Sequence, residues 1–426
     1  MKTNWLYCTL ALMVSVCAVA QTPMTWDQVL QGFDQNNPTL LAGALNIDES
    51  KAEEITAYLR PNPQFTVASD GTQPIPTGGG NPWQPFVGAY QMGSFSYLHE
   101  RRHKRELRLE SAQKGTTIAV STQADLKRNM LFSLRSAFVA TLQAKAVLQL
   151  AKDDLAYYDH VLAISRIRFQ DGDIAKIDLN RLELQRVQYE SELQTAVENL
   201  DTTKIQLLTL LNSRTPLDQF DVTGPFEFRG QLQPRDELRR VALENRPDLR
   251  AAVQTVDQAR TNHELAVANG STDPTWSVWW THDGSYNFSP GDVFGRQTLG
   301  ASISIPLRIF DRNQGEKLRT KIDITRNEKL RDAATAQVFS DVDSAYTAVN
   351  SNVVLLQPYK DKYLQMSVEV RDAVYYAYQK GSASLLDFLN AESDYRQVQL
   401  AYLNLIGSYL TTAAQLNEAA GKEVIP

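Results

Sequence analysis

Residues 116–171 read TTIAVSTQADLKRNMLFSLRSAFVATLQAKAVLQLAKDDLAYYDHVLAISRIRFQD and contain neither glycine nor proline. Because these two residues disfavour helix most strongly, about 56 residues without them predict one helix, about 84 Å long at 1.5 Å per residue. Similar runs cover residues 173–215, 316–357 and 359–380, and Pro358 separates the last two. The chain is therefore predicted to be mainly α-helical, with helices much longer than those of ordinary globular domains.

The returning helix after Gly381 carries an apolar stripe whose members alternate in spacing between three and four residues, as in a coiled-coil seam. The stripe consists of Phe388, Ala391, Tyr395, Val398, Tyr402, Leu405, Tyr409, Thr412 and Leu416. The first half of the chain has the same spacing at Leu193, Ala196, Leu200, Thr203 and Leu207. Small side chains in such a seam allow close packing, so we expect an antiparallel helical hairpin in each half.

The chain is also a tandem repeat. Asn37-Pro38-Thr39-Leu40 recurs as Arg246-Pro247-Asp248-Leu249, and residues 169–172 recur as residues 378–381, both at a shift of 209 residues. Between them, Ser136-Ala137-Phe138 recurs as Ser344-Ala345-Tyr346 at a shift of 208 residues. The predicted organisation is a signal peptide (1–20), a first repeat (21–215), a connector (216–233) and a second repeat (234–426).

Each repeat begins with two short helices divided by a proline and continues with a strand pair. The helices are predicted at 26–36, 38–60, 236–245 and 247–269, and the strands at 64–69, 87–98, 275–282 and 298–307. Leu299, Ala301 and Ile303 alternate with other side chains, which is the period of a strand with two unlike faces. Aromatic residues near the strand ends fit a membrane-interface girdle and an ordinary half-buried sheet equally well.

The N-terminus predicts the compartment. Lys2, an apolar core and Ala18-Val19-Ala20 form the pattern of a cleaved secretory signal peptide. Cleavage near Ala20 would remove Cys8 and Cys17, the two cysteines of the chain, and Val16 argues against lipidation of Cys17. A formal net charge of −6 without a basic footprint argues against nucleic-acid binding.

One motif suggests an enzyme. His99-Glu100-Arg101-Arg102-His103 fits H-E-x-x-H, whose chemistry needs both histidines on one helical face and a third zinc ligand. Here it falls at a predicted strand end, among Arg101, Arg102, Lys104 and Arg105, so a secreted zinc metalloprotease is only a remote alternative. We expect the basic cluster to contact lipid head groups, and we expect no catalytic, cofactor or metal site.

Four strands cannot close a barrel, and an open sheet in lipid would leave backbone groups unpaired. The run Pro306-Leu307-Arg308-Ile309-Phe310-Asp311-Arg312-Asn313-Gln314-Gly315, residues 378–390 and the tandem repeat resemble the outer membrane factor family, the TolC-like efflux proteins, in the branch that serves resistance-nodulation-division (RND) pumps. The resemblance implies a homotrimer in the outer membrane, with a shared 12-stranded barrel and a periplasmic helical tunnel. It implies a passive exit duct, with a periplasmic adaptor and an inner-membrane pump as partners.

The resemblance also assigns roles to the turns between the long helices. Asp387 would line the periplasmic aperture together with Asn390, which replaces the family's second acid. The adaptor-docking tips would comprise Arg168, Asp171, Gly172, Asp173, Asp178, Lys380, Gly381 and Ser384. The alternative is that these residues are simply helix caps, with positive φ at Gly172 and Gly381 and N-caps at Asp173 and at Ser382 or Ser384. At the level of the whole protein, a periplasmic coiled-coil adaptor is the alternative function.

Overall fold

A computed structural model describes residues 23–75, 85–86, 89–230, 232–284 and 296–425. The predicted signal peptide with Cys8 and Cys17 lies outside the described residues, as do Gly78, Gly79 and Gly80. The four strands are β1 (Gln64–Asp70), β2 (Tyr90–Leu98), β3 (Thr275–Asp283) and β4 (Arg296–Ser304). They form one antiparallel sheet in the order β1-β2-β3-β4.

The helices follow the same order in the two halves of the chain. The first half contains α1 (Trp26–Asn36), α2 (Pro38–Tyr58), α3 (Lys104–Gln170) and α4 (Lys176–Leu210). The second contains α5 (Arg235–Asn245), α6 (Pro247–Asn269), α7 (Gln314–Pro358), a π turn (Tyr359–Tyr363), α8 (Leu364–Gln379) and α9 (Leu385–Ala420). The predicted mainly helical fold with four strands is confirmed.

Proline and its neighbours explain why the short helices begin where they do. Pro38 and Pro247 occupy the first turn of α2 and α6, where a missing N–H breaks no helical hydrogen bond. The Asn37 side chain accepts hydrogen bonds from the N–H groups of Thr39 (3.0 Å) and Leu40 (3.1 Å). It also donates to the Leu210 carbonyl at 2.8 Å, which ties the start of α2 to the end of α4.

Helix α3 is the centre of the chain. It packs against α2, α4, α6 and α9, while α7 packs on α6 and α9, and α8 packs on α9. Consequently α2 and α4 lie on one flank of the chain and α7 and α8 on the other. None of the nine residues of the predicted α9 seam is exposed, and Phe388, Tyr409 and Leu416 are almost fully buried.

Several predicted boundaries differ from the structure, and two of the differences have a physical cause. Helix α3 begins at Lys104, about three turns before the predicted start, and runs through Gly115. A Cβ on that glycine would lie 3.1 Å from the Gln258 amide, so the missing side chain lets α6 approach. Strand β4 ends at Ser304 rather than at Leu307, because Pro306 cannot donate a ladder hydrogen bond.

Candidate functional site

The sheet has one apolar face, and this face is exposed. Phe65, Phe95, Val278 and Ala301 align across the four strands, and they point to the same side as Trp276, Trp280, Leu299 and Ile303. Leu299 is 84% exposed, and Phe65 and Val67 are each 73% exposed. No helix or loop of the described residues covers this face, so the hydrophobic side of the sheet is open to its surroundings.

The opposite face is mostly polar. Thr66, Ser94, Ser277 and Ser302 lie on it, and Thr281 pairs with Thr298 through their hydroxyl groups. The Trp279 indole lies against Gly300, where any Cβ would overlap the ring. A sheet with an apolar outside and a polar inside is typical of a transmembrane barrel wall, which favours the membrane alternative over the half-buried one.

Both flanks of the helical part expose apolar side chains as well. On the α2 and α4 side, Leu45, Ile55, Leu184 and Val187 are 60% to 73% exposed. On the α7 and α8 side, the exposed apolar side chains are Leu318, Ile322, Leu330, Val354 and Tyr376. Helix α2 leads into β1 and β4 leads into α7, so each flank is joined along the chain to one outer strand of the sheet.

The H-E-x-x-H motif does not form a metal site. His103 adopts a left-handed conformation (φ 54°) one residue before α3, so the motif lies outside the helix. The Glu100 carboxylate is held by two hydrogen bonds from Arg108, one of them from Nη2 at 2.9 Å, and cannot activate water. Among residues that the structure describes, no group of three or more His, Cys, Asp or Glu could hold a metal ion. The metalloprotease alternative is wrong.

The basic cluster differs from its prediction at Lys104. This side chain is buried, and its ammonium group donates to Asp273 Oδ2 at 2.6 Å and to the Ser271 carbonyl at 3.0 Å. Asp273 Oδ1 also accepts from the Arg101 N–H at 2.9 Å. Lys104 therefore fastens the start of α3 to the β3 side of the sheet and cannot contact lipid.

The turn between α3 and α4 contains the first predicted tip residues. Gly172 has a φ of +86°, and the Asp173 N–H reaches back to the Arg168 carbonyl at 2.8 Å, so the turn closes the end of α3. The predicted positive φ at Gly172 is confirmed. The predicted cap at Asp173 is wrong, because the N-cap position of α4 is occupied by Ala175. Asp171, Gly172 and Asp173 are exposed, and Asp178 is half-buried.

The turn between α8 and α9 is closed by a capping box. Gly381 has a φ of +76°, and Ser384 is the N-cap of α9. The Ser384 Oγ accepts from the Asp387 N–H at 3.1 Å, while Asp387 Oδ2 accepts from the Ser384 N–H (2.9 Å) and Oγ–H (2.7 Å). These hydrogen bonds lower the pKa of Asp387, so its carboxylate is ionised at neutral pH. Asp387 and Asn390 are both exposed near the start of α9.

A cluster of aromatic and aliphatic side chains brings the two turns together. Tyr158, Leu162, Leu182 and Tyr189 of the first hairpin pack with Tyr378, Leu385 and Phe388 of the second. The Arg168 guanidinium lies 5.2 Å from the centre of the Tyr378 ring, and that ring stacks on Phe388. All ten predicted tip and aperture residues therefore lie in or beside two adjacent turns at one end of the helical bundle.

The residue pattern did not identify one buried and one half-buried carboxyl group behind the tips. Glu392, on α9, is 5% exposed, and Asp154, on α3, is half-buried. Glu392 directly follows the seam residue Ala391 in the sequence. Its position next to the seam is the one sequence feature that could have indicated its burial. Among the described residues α3 is also the one helix long and apolar enough to cross a membrane, a property that it shares with buried core helices.

The geometry agrees with comparisons to known proteins. Residues 238–422 match the outer membrane efflux protein family. Over 421 residues the chain is 23% identical to the cobalt-zinc-cadmium resistance protein CzcC of Cupriavidus metallidurans, covering 95% of this chain and 91% of that protein. The match to a family of outer membrane proteins means that the periplasmic adaptor alternative is wrong.

Solved channel structures share the fold. The structure of CusC, described in terms of transmembrane channel formation, superposes with a TM-score of 0.75 at 17% identity, over 93% of this chain and 92% of that chain. The open state of the MtrE outer membrane channel of Neisseria gonorrhoeae gives a TM-score of 0.73 at 19% identity, over 93% and 89%.

Proposed function

Because this chain belongs to the outer membrane efflux protein family, we propose that three copies of it form the exit duct of a tripartite efflux system. The duct carries no catalytic group and conducts passively. It stands in the outer membrane and extends into the periplasm through its long helices. The predicted signal peptide, cleaved near Ala20, would direct the chain there.

The exposed apolar face of the sheet is the observation that carries the proposal. In water, a face with Phe65, Val67 and Leu299 uncovered would be costly, since burying each such side chain is worth about 1.5–3 kcal/mol. In a lipid bilayer the same face is satisfied, provided that no strand edge remains unpaired. We therefore propose that the β4 edge of one copy pairs with the β1 edge of the next, so that three copies close a 12-stranded barrel.

The helical flanks support the same ring. The apolar residues of the α2 and α4 flank differ from those of the α7 and α8 flank, so two copies cannot meet through one shared patch. Contact between unlike surfaces generates a ring when the rotation closes. Since each flank is joined along the chain to one outer strand, we expect the rotation that joins β4 to β1 to bring Leu330 and Tyr376 towards the neighbour's Ile55 and Leu184 as well.

The opposite end of the bundle provides the periplasmic entrance. We propose that the two exposed turns dock a periplasmic adaptor through Arg168, Asp171, Gly172, Asp173, Asp178, Lys380, Gly381 and Ser384. Three ionised Asp387 side chains, with the three Asn390 side chains close by, would line the aperture and attract cations. Opening would be an iris-like separation of the tips after the adaptor docks.

The pump partner would supply the energy. An RND-type inner-membrane pump fits the resemblance of residues 306–315, and the likeness to a cobalt-zinc-cadmium resistance protein makes divalent metal ions the first substrate class to test. Metal sensitivity of a deletion strain, with and without the gene restored, tests this substrate class separately from the channel activity.

The channel itself is tested by fractionation, gel electrophoresis and planar-bilayer recording. The expected result is an outer-membrane protein that runs as a heat-sensitive trimer and gives discrete conductance steps. Leu330→Glu should abolish the trimer. Lys329→Glu is the matched control, because Lys329 is the neighbouring residue and its side chain is 79% exposed, and this variant should leave the trimer intact. A soluble periplasmic monomer, or a trimer equally stable with both variants, would contradict the proposal.

A further inference from the structure

Behind the two tips, four helices enclose polar groups that the channel function does not use. Glu392 of α9 is 5% exposed, and its Oε1 atom has no hydrogen-bond partner among the described residues. The hydroxyl groups of Tyr157 on α3 and Tyr375 on α8 are buried in the same region, and the Tyr157 hydroxyl faces the Glu392 carboxyl group without a well-formed hydrogen bond. Buried polar atoms are rarely left unsatisfied, so each needs a reason.

The two arginines of this region do not supply that partner. Arg371 lies between the rings of Tyr157 (4.8 Å) and Tyr395 (4.2 Å) and directs its Nη2 to Asp372 at 2.8 Å. Arg396 lies over the Tyr189 ring and binds Glu192 at 2.7 Å. Each guanidinium therefore has its own acid nearer the surface, so the two cations act on Asp154 and Glu392 through their field, and the Tyr157 hydroxyl is the neutral group beside Glu392.

Every helix of the two hairpins contributes to the surroundings of Asp154 and Glu392. The ionisable groups that face them are Asp153, Tyr157 and Tyr158 of α3, Tyr189 and Glu192 of α4, Arg371, Asp372 and Tyr375 of α8, and Tyr395 and Arg396 of α9. The region is an interface, because α3 and α4 form one hairpin whereas α8 and α9 form the other. Asp154 and Glu392 lie on opposite sides of it.

We propose that Asp154 and Glu392 form a proton-operated latch between the two hairpins, which holds the tips together when both are protonated and releases them when both are ionised. This rests on the proposed function insofar as the tips are the entrance of the duct. Protonated carboxyls remain buried without charge, while two carboxylates repel each other and seek water. When the hairpins separate, water reaches both carboxylates.

The direction of the effect follows from the two carboxyl groups. Burial raises the pKa of Glu392 to about 7, against the field of Arg371, and raises that of Asp154 to about 6. Because both values are raised in the packed state, packing is favoured by protonation and weakens as pH rises from about 4 to about 7. One unit of such a shift corresponds to about a tenfold change in an equilibrium constant, so the equilibrium constant between packed and separated hairpins should fall at least about tenfold between pH 5 and pH 8.

Spin-label distances test the latch independently of conductance. The mature chain is predicted to lack cysteine, so labels at Asn180→Cys on α4 and Gln379→Cys on α8, both exposed, report the gap between the hairpins. Labelled chains are diluted with unlabelled full-length chains, so that distances within one chain dominate. The distance distribution should shift to longer values between pH 5 and pH 8.

Glu392→Gln combined with Asp154→Asn should remove this pH response, because both substitutes are permanently neutral and similar in size. Asp394→Asn, an exposed acid on the same helix, should leave it unchanged. An unshifted parent, or a double variant that responds like the parent, would overturn the latch. Circular dichroism confirms folding, and Glu392→Gln alone, which should lose about half of the response, serves if the double variant misfolds. If the protein gave no conductance but the distance between the two labels still changed with pH, the proposed function would be rejected and the latch retained.

Discussion

The Arg168 guanidinium lies 5.2 Å from the centre of the Tyr378 ring, so the last turn of α3 holds the last turn of α8. This contact joins the two hairpins at their tips, and a cation–π pair at such a site contributes about 0.5–2 kcal/mol. We expect Arg168→Ala to raise the open fraction of the channel by about two- to tenfold in single-channel recordings. Arg166→Ala is the matched control, because Arg166 pairs with Glu183 within one hairpin. Equal effects of both variants would argue against a contact that joins the hairpins.

The capping box separates two roles of Asp387. Asp387→Asn removes the charge while keeping a side-chain oxygen for Ser384, whereas Ser384→Ala removes the cap, at about 1 kcal/mol, and keeps the charge. If three Asp387 carboxylates line the aperture, Asp387→Asn lowers cation selectivity and block by divalent cations, and Ser384→Ala lowers only thermal stability. Reversal potentials in a salt gradient measure the difference. Unchanged selectivity in Asp387→Asn would remove Asp387 from the aperture.

The turn glycine Gly381 has a φ of +76°. An L-residue in this conformation costs about 1–2 kcal/mol, so Gly381→Ala should lower the free energy of unfolding by that amount. Gly315, in the first turn of α7, has open space around its Cα, and Gly315→Ala should be neutral or slightly stabilising. Denaturant unfolding of both variants tests the pair. Equal stability would mean that the α8–α9 turn tolerates another backbone conformation.

The contact between Trp279 and Gly300 tests the polar face of the sheet. A Cβ at Gly300 would overlap the indole, and overpacking of this kind costs about 1–3 kcal/mol. Gly300→Ala should therefore lower the temperature at which the trimer dissociates on a gel. Gly93→Ala adds the same methyl group on the apolar face, where nothing lies within 4 Å, and should leave that temperature unchanged. An unaltered Gly300→Ala trimer would show that Trp279 moves freely.

The local signals in the sequence were sufficient for the short helices and for the turns. Pro38 and Pro247 predicted the starts of α2 and α6, and Gly172 and Gly381 predicted the two positive-φ turns. The start of α3 was predicted too late, because Gly115 disfavours an isolated helix. In the structure the helix tolerates this glycine, since the missing side chain lets α6 approach. The burial of Asp154 and Glu392 could not be predicted, since it depends on which helices meet across the interface.

The π turn at Tyr359–Tyr363 accounts for a one-residue difference in length between the two long hairpins. The repeats are offset by 209 residues at Asn37 and Arg246, by 208 at Ser136 and Ser344, and again by 209 at Phe169 and Tyr378. The buried positions of α7 alternate in spacing between four and three from Val338 to Leu356, and the π turn begins three residues after Leu356. A π turn accommodates one extra residue within a helix. One residue more separates Ser344 from Tyr378 than separates Ser136 from Phe169, and the π turn beside Pro358 accommodates it, so the tips of the two hairpins keep the same offset as the starts of the two repeats.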